Sequence, residues 1–158
     1  MEKVIDKFDG VYRFLSNFYL FEIVDENGIH WDSTEHYYQA MKTLNKKEQE
    51  EIRLAPLTKT EENKKTVKYL GKSCTLRSDW DSIKIEVMKK ALRMKFCFGN
   101  KMSQKLIETG DSTLIEGNYW GDTFWGVCKG VGENNLGKLL MELRKELNEK
   151  EVRLKEIF

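Results

Sequence analysis

The sequence predicts an α+β fold: a single compact, predominantly helical domain that opens with short strands. Three observations lead there. The first third carries brief apolar runs separated by turn chemistry. The remainder carries segments with helical spacing of apolar residues, bounded by capping side chains and glycines. One proline among 158 residues is too few for a loop-built protein. With 40% apolar residues, a chain of this length buries roughly two-thirds of the surface it exposes when unfolded.

Taken in order, Val4–Phe8 and Leu20–Val24 read as short strands. Asp25-Glu26-Asn27-Gly28 is turn chemistry, and Ile29-His30-Trp31 can return as a hairpin partner. Between the strands lies the aromatic-rich loop Phe14-Leu15-Ser16-Asn17-Phe18-Tyr19. A helix is predicted over Asp32–Leu44, then helical segments near 46–54 and 58–70, interrupted at Pro56 and closed by Gly71. A long helix follows from about Ser78 to Phe98, with Gly99 as its stop, and a short one over Ser103–Thr109. Residues 117–133 read as a glycine- and aromatic-rich loop. Asn134 then caps a last amphipathic helix with Leu136, Leu139, Leu140, Leu143 and Leu147 on its apolar side. The domain is expected over 1–147, with 148–158 a charged, helical tail.

Composition excludes several classes. No apolar run approaches the roughly 20 residues that span a bilayer, and no signal-peptide pattern opens the chain, so a cytoplasmic protein without membrane association is expected. Cys74, Cys97 and Cys128 are scattered and odd in number, which argues for reduced thiols. With only His30 and His36 besides, no metal site is expected. A net charge of +1 provides no long-range pull toward nucleic acid.

Three segments carry chemistry. Wound at 100° per residue, Asp32–Leu44 divides into two faces. Tyr37, Ala40, Met41 and Leu44 share one arc, and Glu35, Tyr38, Gln39 and Lys42 the other. An acid, an amide and an amine thus stand side by side. Asp32 followed by Glu35 also fits a capping-box variant, so spacing alone leaves a cap and an active site equally open. His36 lies between the faces, where a histidine is more often structural than a base. On the long helix, Lys84 and Lys95 fall within the apolar arc of Trp80, Ile83, Val87, Met88, Ala91, Leu92 and Met94. Lys95, near the helix end, can snorkel, whereas Lys84 calls for an anionic partner or ligand. The third segment, Glu116–Gly126, combines glycines, aromatics and the carboxylates Glu116 and Asp122 just ahead of a helix start.

Read together, these segments resemble the NADAR family. The resemblance rests on Phe14-Leu-Ser-Asn-Phe18, Ser33-Thr-Glu-His-Tyr-Tyr-Gln-Ala-Met-Lys42, and Trp80 to Phe96 with Lys84, Met88 and Lys95. It continues through Leu114-Ile-Glu116, Asp122, Trp125-Gly126, Asn135-Leu-Gly-Lys-Leu-Leu-Met141 and Arg144, collinear over nearly the whole chain. The sequence departs from the family pattern around Gly117–Gly121 and at Val127-Cys128.

The resemblance implies an N-glycosidase without metal or other cofactor. It would hydrolyse the bond between a ribose C1 and a nitrogen, first in phosphoribosylaminopyrimidine intermediates of riboflavin synthesis. Two alternatives are removal of ADP-ribose from guanine in DNA and a non-catalytic nucleotide-sugar binding module. The expected partner is a small phosphoribosyl or ADP-ribosyl substrate or ADP-ribosylated DNA; oligomeric state is not legible. Glu35 or Asp122 is the expected carboxylate beside C1. Lys42 either orients the ribose as a cation or, as the family suggests, attacks the opened sugar to form an imine. That role needs a lowered pKa, from burial or from a cation such as Lys84. Trp80, Trp120 and Trp125 are expected to stack on the base, with Ser16 and Asn17 hydrogen-bonding base or ribose. Lys84, the amides near Asn135 and Arg13 are expected at phosphate, and Phe18, His36, Gln39, Glu116 and Gly126 complete the expected binding set.

Overall fold

A computed structural model describes residues 3–158, so the first two positions of the expected domain lie outside the described residues. In chain order it contains β1 (Val4–Ile5), a 3-10 helix over Gly10–Leu15, β2 (Ile23–Val24), β3 (His30–Trp31), α1 (Thr34–Ala40), α2 (Lys46–Arg53) and α3 (Val67–Ser73). It continues with α4 (Trp80–Lys95), α5 (Lys101–Glu108), β4 (Thr113–Leu114), β5 (Gly117–Asn118), β6 (Val127–Cys128) and α6 (Asn135–Ile157). The elements belong to two compact units: Asn17–Lys95, and the chain up to Ser16 together with Phe96–Phe158.

In the Asn17–Lys95 unit, β2 and β3 form the expected antiparallel hairpin, with Ile23 opposite Trp31 and Val24 opposite His30. Asp25 organises its turn. One carboxylate oxygen accepts from the backbone N–H of Asn27 and Ile29, and the other accepts from the Trp31 indole at 3.0 Å. Helix α1 is the centre of the unit and packs against α2, α3, α4 and β3. The core consists of Ile23, Trp31, Tyr37, Ala40, Ile52, Val67 and Ala91. Burying a large apolar side chain of this kind contributes roughly 1.5–3 kcal/mol.

Helix α1 is shorter than its sequence pattern and enclosed on both faces: every residue from Thr34 to Ala40 is buried. Its N-cap is Ser33, not Asp32; the Ser33 hydroxyl accepts from the His36 N–H. The helix stops because Thr43 and Asn45 begin a new start. The Thr43 hydroxyl accepts from the Asn45 N–H, and the Asn45 side chain caps α2 through the N–H groups of Lys47 and Glu48. Lys42 therefore lies in the turn between two helices.

The segment before α3 also departs from expectation, since residues 58–66 are not helical and α3 begins only after Thr66, whose hydroxyl accepts from the Tyr69 N–H. Gly71 lies inside α3 and does not close it.

In the other unit, β1 and β4 pair in parallel, as do β5 and β6. Helix α6 packs on α5 and β4. Its apolar residues are those expected: Leu136, Leu139, Leu140, Leu143 and Leu147 are all buried. Arg144, buried on the same helix, donates to the Thr109 hydroxyl and the Ser112 carbonyl, both at 2.8 Å. The charged segment from 148 onward is continuous with α6. Among the described residues, no helix is long and apolar enough to cross a membrane.

Candidate active site

Two clusters gather most of the chemistry-bearing residues, one in each unit. The first is built on α1. The Glu35 carboxylate accepts from Gln39 Nε2 at 2.8 Å, one turn along the helix. Lys42 follows at the end of the same polar row, with its Nζ over the Tyr38 ring, 5.7 Å from the centroid. Tyr38 in turn packs against Trp80 of α4 at 5.1 Å between centroids. Both rings are buried, and Trp80 supports α1.

Electrostatics single out Lys42. Burial holds its amine below the ordinary lysine range, while the Glu35 charge and the Cys74 thiol act in the opposite direction. Lys68 and Lys72, one turn apart on α3, reinforce the depression. Burial pushes the Cys74 thiol up.

The N-terminus of α1 is anchored by side chains that are already engaged. Asn17 accepts from the Thr34 hydroxyl at 2.8 Å, donates Nδ2 to Met88 Sδ at 3.4 Å, and offers its backbone carbonyl to the Glu35 N–H at 3.2 Å. His36 bonds Ser33 Oγ through Nδ1 and the Ala55 carbonyl through Nε2. Both residues, expected to contact substrate, fix the start of the helix that carries Glu35. Lys84 has the anionic partner expected of it, whereas Lys95 does not snorkel as expected. Lys84 retains 25% side-chain exposure and pairs with Asp81 at 3.4 Å. Lys95 is fully buried, its amine is pushed down to about 7, and it lies over the Tyr19 ring. A helix wheel assigns a face but not the layer that covers it, and the neighbours of α4 decide which lysine is enclosed.

The second cluster is the Glu116–Gly126 loop. Asp122 Oδ1 accepts from the N–H groups of Phe124 and Trp125 at 3.1 and 2.9 Å. Asn118 connects the two acids: its Nδ2 donates to Glu116 Oε2 at 3.0 Å and to the Asp122 carbonyl at 2.9 Å, and its Oδ1 accepts from the Asp122 N–H. Sequence reasoning passed over Asn118, although its four-residue spacing to Asp122 is a usable loop signal. Gly126 is required by close approach, since a Cβ there would stand 1.8 Å from Glu116 Oε2 and 2.1 Å from the Glu116 carbonyl oxygen.

Neither tryptophan of the loop is fully buried. Trp120 is 54% exposed beside Tyr119, and Trp125 is half-buried against Phe124.

The start of α6 also differs from expectation. The N–H groups of Asn134, Asn135 and Leu136 donate to the carbonyls of Gly126, Phe124 and Trp125, and the Asn135 side chain donates to Phe124 as well. These amides are consumed by the loop, which removes them as a phosphate site. Asn134 has φ +55° and makes no side-chain cap. Its amide instead accepts from the Glu116 N–H and donates to the Leu114 carbonyl, both at 2.9 Å.

Arg13 is exposed in the last turn of the 3-10 helix, Ser16 is half-buried at its C-cap, and Phe18 is 41% exposed. Among the described residues, no group of three or more His, Cys, Asp or Glu side chains is placed to hold a metal ion.

A family model of the NADAR domain matches residues 6–148. N-glycosidase YbiA of Escherichia coli (strain K12) is 38% identical over 139 residues, covering 86% of this chain and 82% of that protein. The NMR structure of E. coli YbiA superposes with a TM-score of 0.79 at 35% identity, covering 96% of this chain and 89% of that one. A longer relative, riboflavin biosynthesis protein VVA0006 of Vibrio vulnificus, is 37% identical over 144 residues, 89% of this chain and 37% of its own.

Proposed function

The chain belongs to the NADAR domain family and is an N-glycosidase, and we propose that it hydrolyses the bond between ribose C1 and nitrogen in phosphoribosylaminopyrimidine intermediates of riboflavin synthesis. The likeness to a protein named for riboflavin biosynthesis supports the substrate class. The observation that carries the mechanism is the α1 row: a buried carboxylate held by Gln39, followed by an amine that burial makes easier to deprotonate.

Breaking the C1–N bond sends its electron pair to the departing nitrogen, which takes up a proton, and leaves positive charge on the ribose. Glu35, oriented by Gln39, stabilises that charge. The neutral Lys42 amine then adds to C1. As the ring oxygen departs from C1 and is protonated, an imine forms between C1 and Nζ. Water adds to the imine and expels Lys42, releasing free sugar. Asp122, with one oxygen fixed by two backbone N–H groups, is the second candidate for the stabilising carboxylate.

Incubation with a phosphoribosylaminopyrimidine and, separately, with an ADP-ribosylated oligonucleotide tests the substrate. Free sugar is expected from the first. Release from the oligonucleotide alone would transfer the activity to nucleic acid, and saturable binding without release from either would contradict hydrolysis. Glu35→Gln is expected to lose most activity while Asp122→Asn retains more; the reverse order would make Asp122 the principal carboxylate.

A further inference from the structure

Gly71 sits inside α3 with no left-handed backbone to explain it. A glycine there costs roughly 1 kcal/mol of helix propensity relative to alanine. The steric surroundings supply the reason. A Cβ at Gly71 would stand 1.9 Å from Gln39 Oε1, 2.8 Å from its Cδ and 3.2 Å from its Cβ. The three nearest atoms all belong to one side chain. The carboxamide oxygen of Gln39 occupies the space that a side chain at position 71 would fill.

That oxygen is buried and, among the described residues, has no hydrogen-bond donor. The other end of the amide donates to Glu35 at 2.8 Å. A carboxylate only accepts, so the amide must present its nitrogen. No second hydrogen bond fixes the oxygen; the shape of α3 does. Gln39 is 5% exposed, so a displaced amide does not move freely into solvent.

We propose that Gly71 is a positioning residue for Glu35, acting through the Gln39 carboxamide that its missing side chain admits. The inference rests on the reading that Glu35 acts on the substrate. The added methyl of Gly71→Ala displaces the amide, and Glu35 loses a donor that helps to orient it and favours its charged form.

Steady-state kinetics on Gly71→Ala, Gln39→Ala, the double variant and Glu35→Gln test this, with melting temperatures alongside. Gly71→Ala is expected to lower kcat about 10- to 100-fold, the scale of a small misplacement at a reacting centre, with KM little changed. Loss of the amide donor raises the carboxylate pKa, so the acid limb of the kcat profile moves to higher pH in both single variants. A merely structural lesion lowers the melting temperature without moving that limb. In the Gln39→Ala background the clashes with Oε1 and Cδ are gone and only the 3.2 Å approach to Cβ remains, so Gly71→Ala should change kcat by no more than about twofold.

Equal losses in both backgrounds, or an unmoved acid limb, would overturn the proposal. Should Gly71→Ala alone not fold, the double variant decides: kcat equal to that of Gln39→Ala supports the proposal, and a lower value overturns it. Glu35→Gln keeps the outcomes apart. If it retains full activity, the Glu35 reading itself is wrong; if it is inactive while the coupling is absent, only the role of Gly71 is lost.

Discussion

Lys42 is the residue on which opposing effects meet. Burial favours its neutral form, Glu35 favours the charged form, and the depressed pKa shows that burial prevails. A positioning cation would be served by arginine, whereas an imine would not, because guanidinium stays charged. Lys42→Arg is therefore expected to be as inactive as Lys42→Met in single-turnover assays; retained activity in the arginine variant would make Lys42 a positioning charge. Lys95 is the second perturbed amine, pushed down to about 7 by burial. Its folded pKa lies below the ordinary 10.5, so the unfolded chain binds more protons between about pH 7 and 10.5, and stability attributable to this group rises across that window. Below about pH 7 the cost of enclosing the charge is fully present. The melting temperature of Lys95→Met minus that of the natural chain should accordingly fall as pH rises from 6 to 10. A difference that stays constant would mean that burial does not lower the Lys95 pKa in the folded protein. Neither property was legible from residue type: a lysine on an apolar arc can be enclosed or can reach solvent, and only the covering layer distinguishes Lys95 from Lys84.

Element by element, legibility followed the range of the determining contacts. The β2–β3 hairpin was readable because Asp25 and Gly28 lie within the turn they organise. The leucine face of α6 was readable because periodicity is local. The start of α6 was not, since Asn134 bonds Leu114 and Glu116 about twenty residues earlier and takes a left-handed conformation to do so. Asn134→Ala loses both bonds and strains the backbone, and is expected to cost about 2–4 kcal/mol in denaturant unfolding. Asn134→Gly, which adopts the left-handed conformation freely, should recover about 1–2 kcal/mol of that loss. If the two variants are equally stable, backbone strain plays no part. Helix α3 contributes charge as well as shape: Lys68 and Lys72 help to hold the Lys42 pKa down. In Lys68→Gln/Lys72→Gln that pKa rises, so a rate requiring neutral Lys42 should climb at higher pH than in the natural chain. A shift to lower pH would contradict the requirement for a neutral amine.

For the whole molecule, the class of fold and the family were legible because blocks of fixed composition recur in fixed order, from Phe14-Leu-Ser-Asn-Phe18 to Asn135-Leu-Gly137, and the family match over 6–148 agrees. The α+β architecture and the likeness to the E. coli YbiA structure agree as well. What composition and order did not convey was the division of labour within those blocks. Asn17, His36 and Trp80 carry structure around α1. Asn118, Gly71 and Asn134 set the positions of groups that the sequence reading had named. Helix α1 was read with one face toward the core and one toward a ligand, yet it is buried on both, because α2, α3 and α4 all pack on it. That enclosure keeps Glu35 away from bulk water and lowers the Lys42 pKa, and it makes a single experiment decisive. Borohydride reduction during turnover of a phosphoribosylaminopyrimidine, followed by peptide mass mapping, is predicted to leave one sugar adduct on Lys42. Absence of any adduct, together with an active Lys42→Met enzyme, would contradict the account.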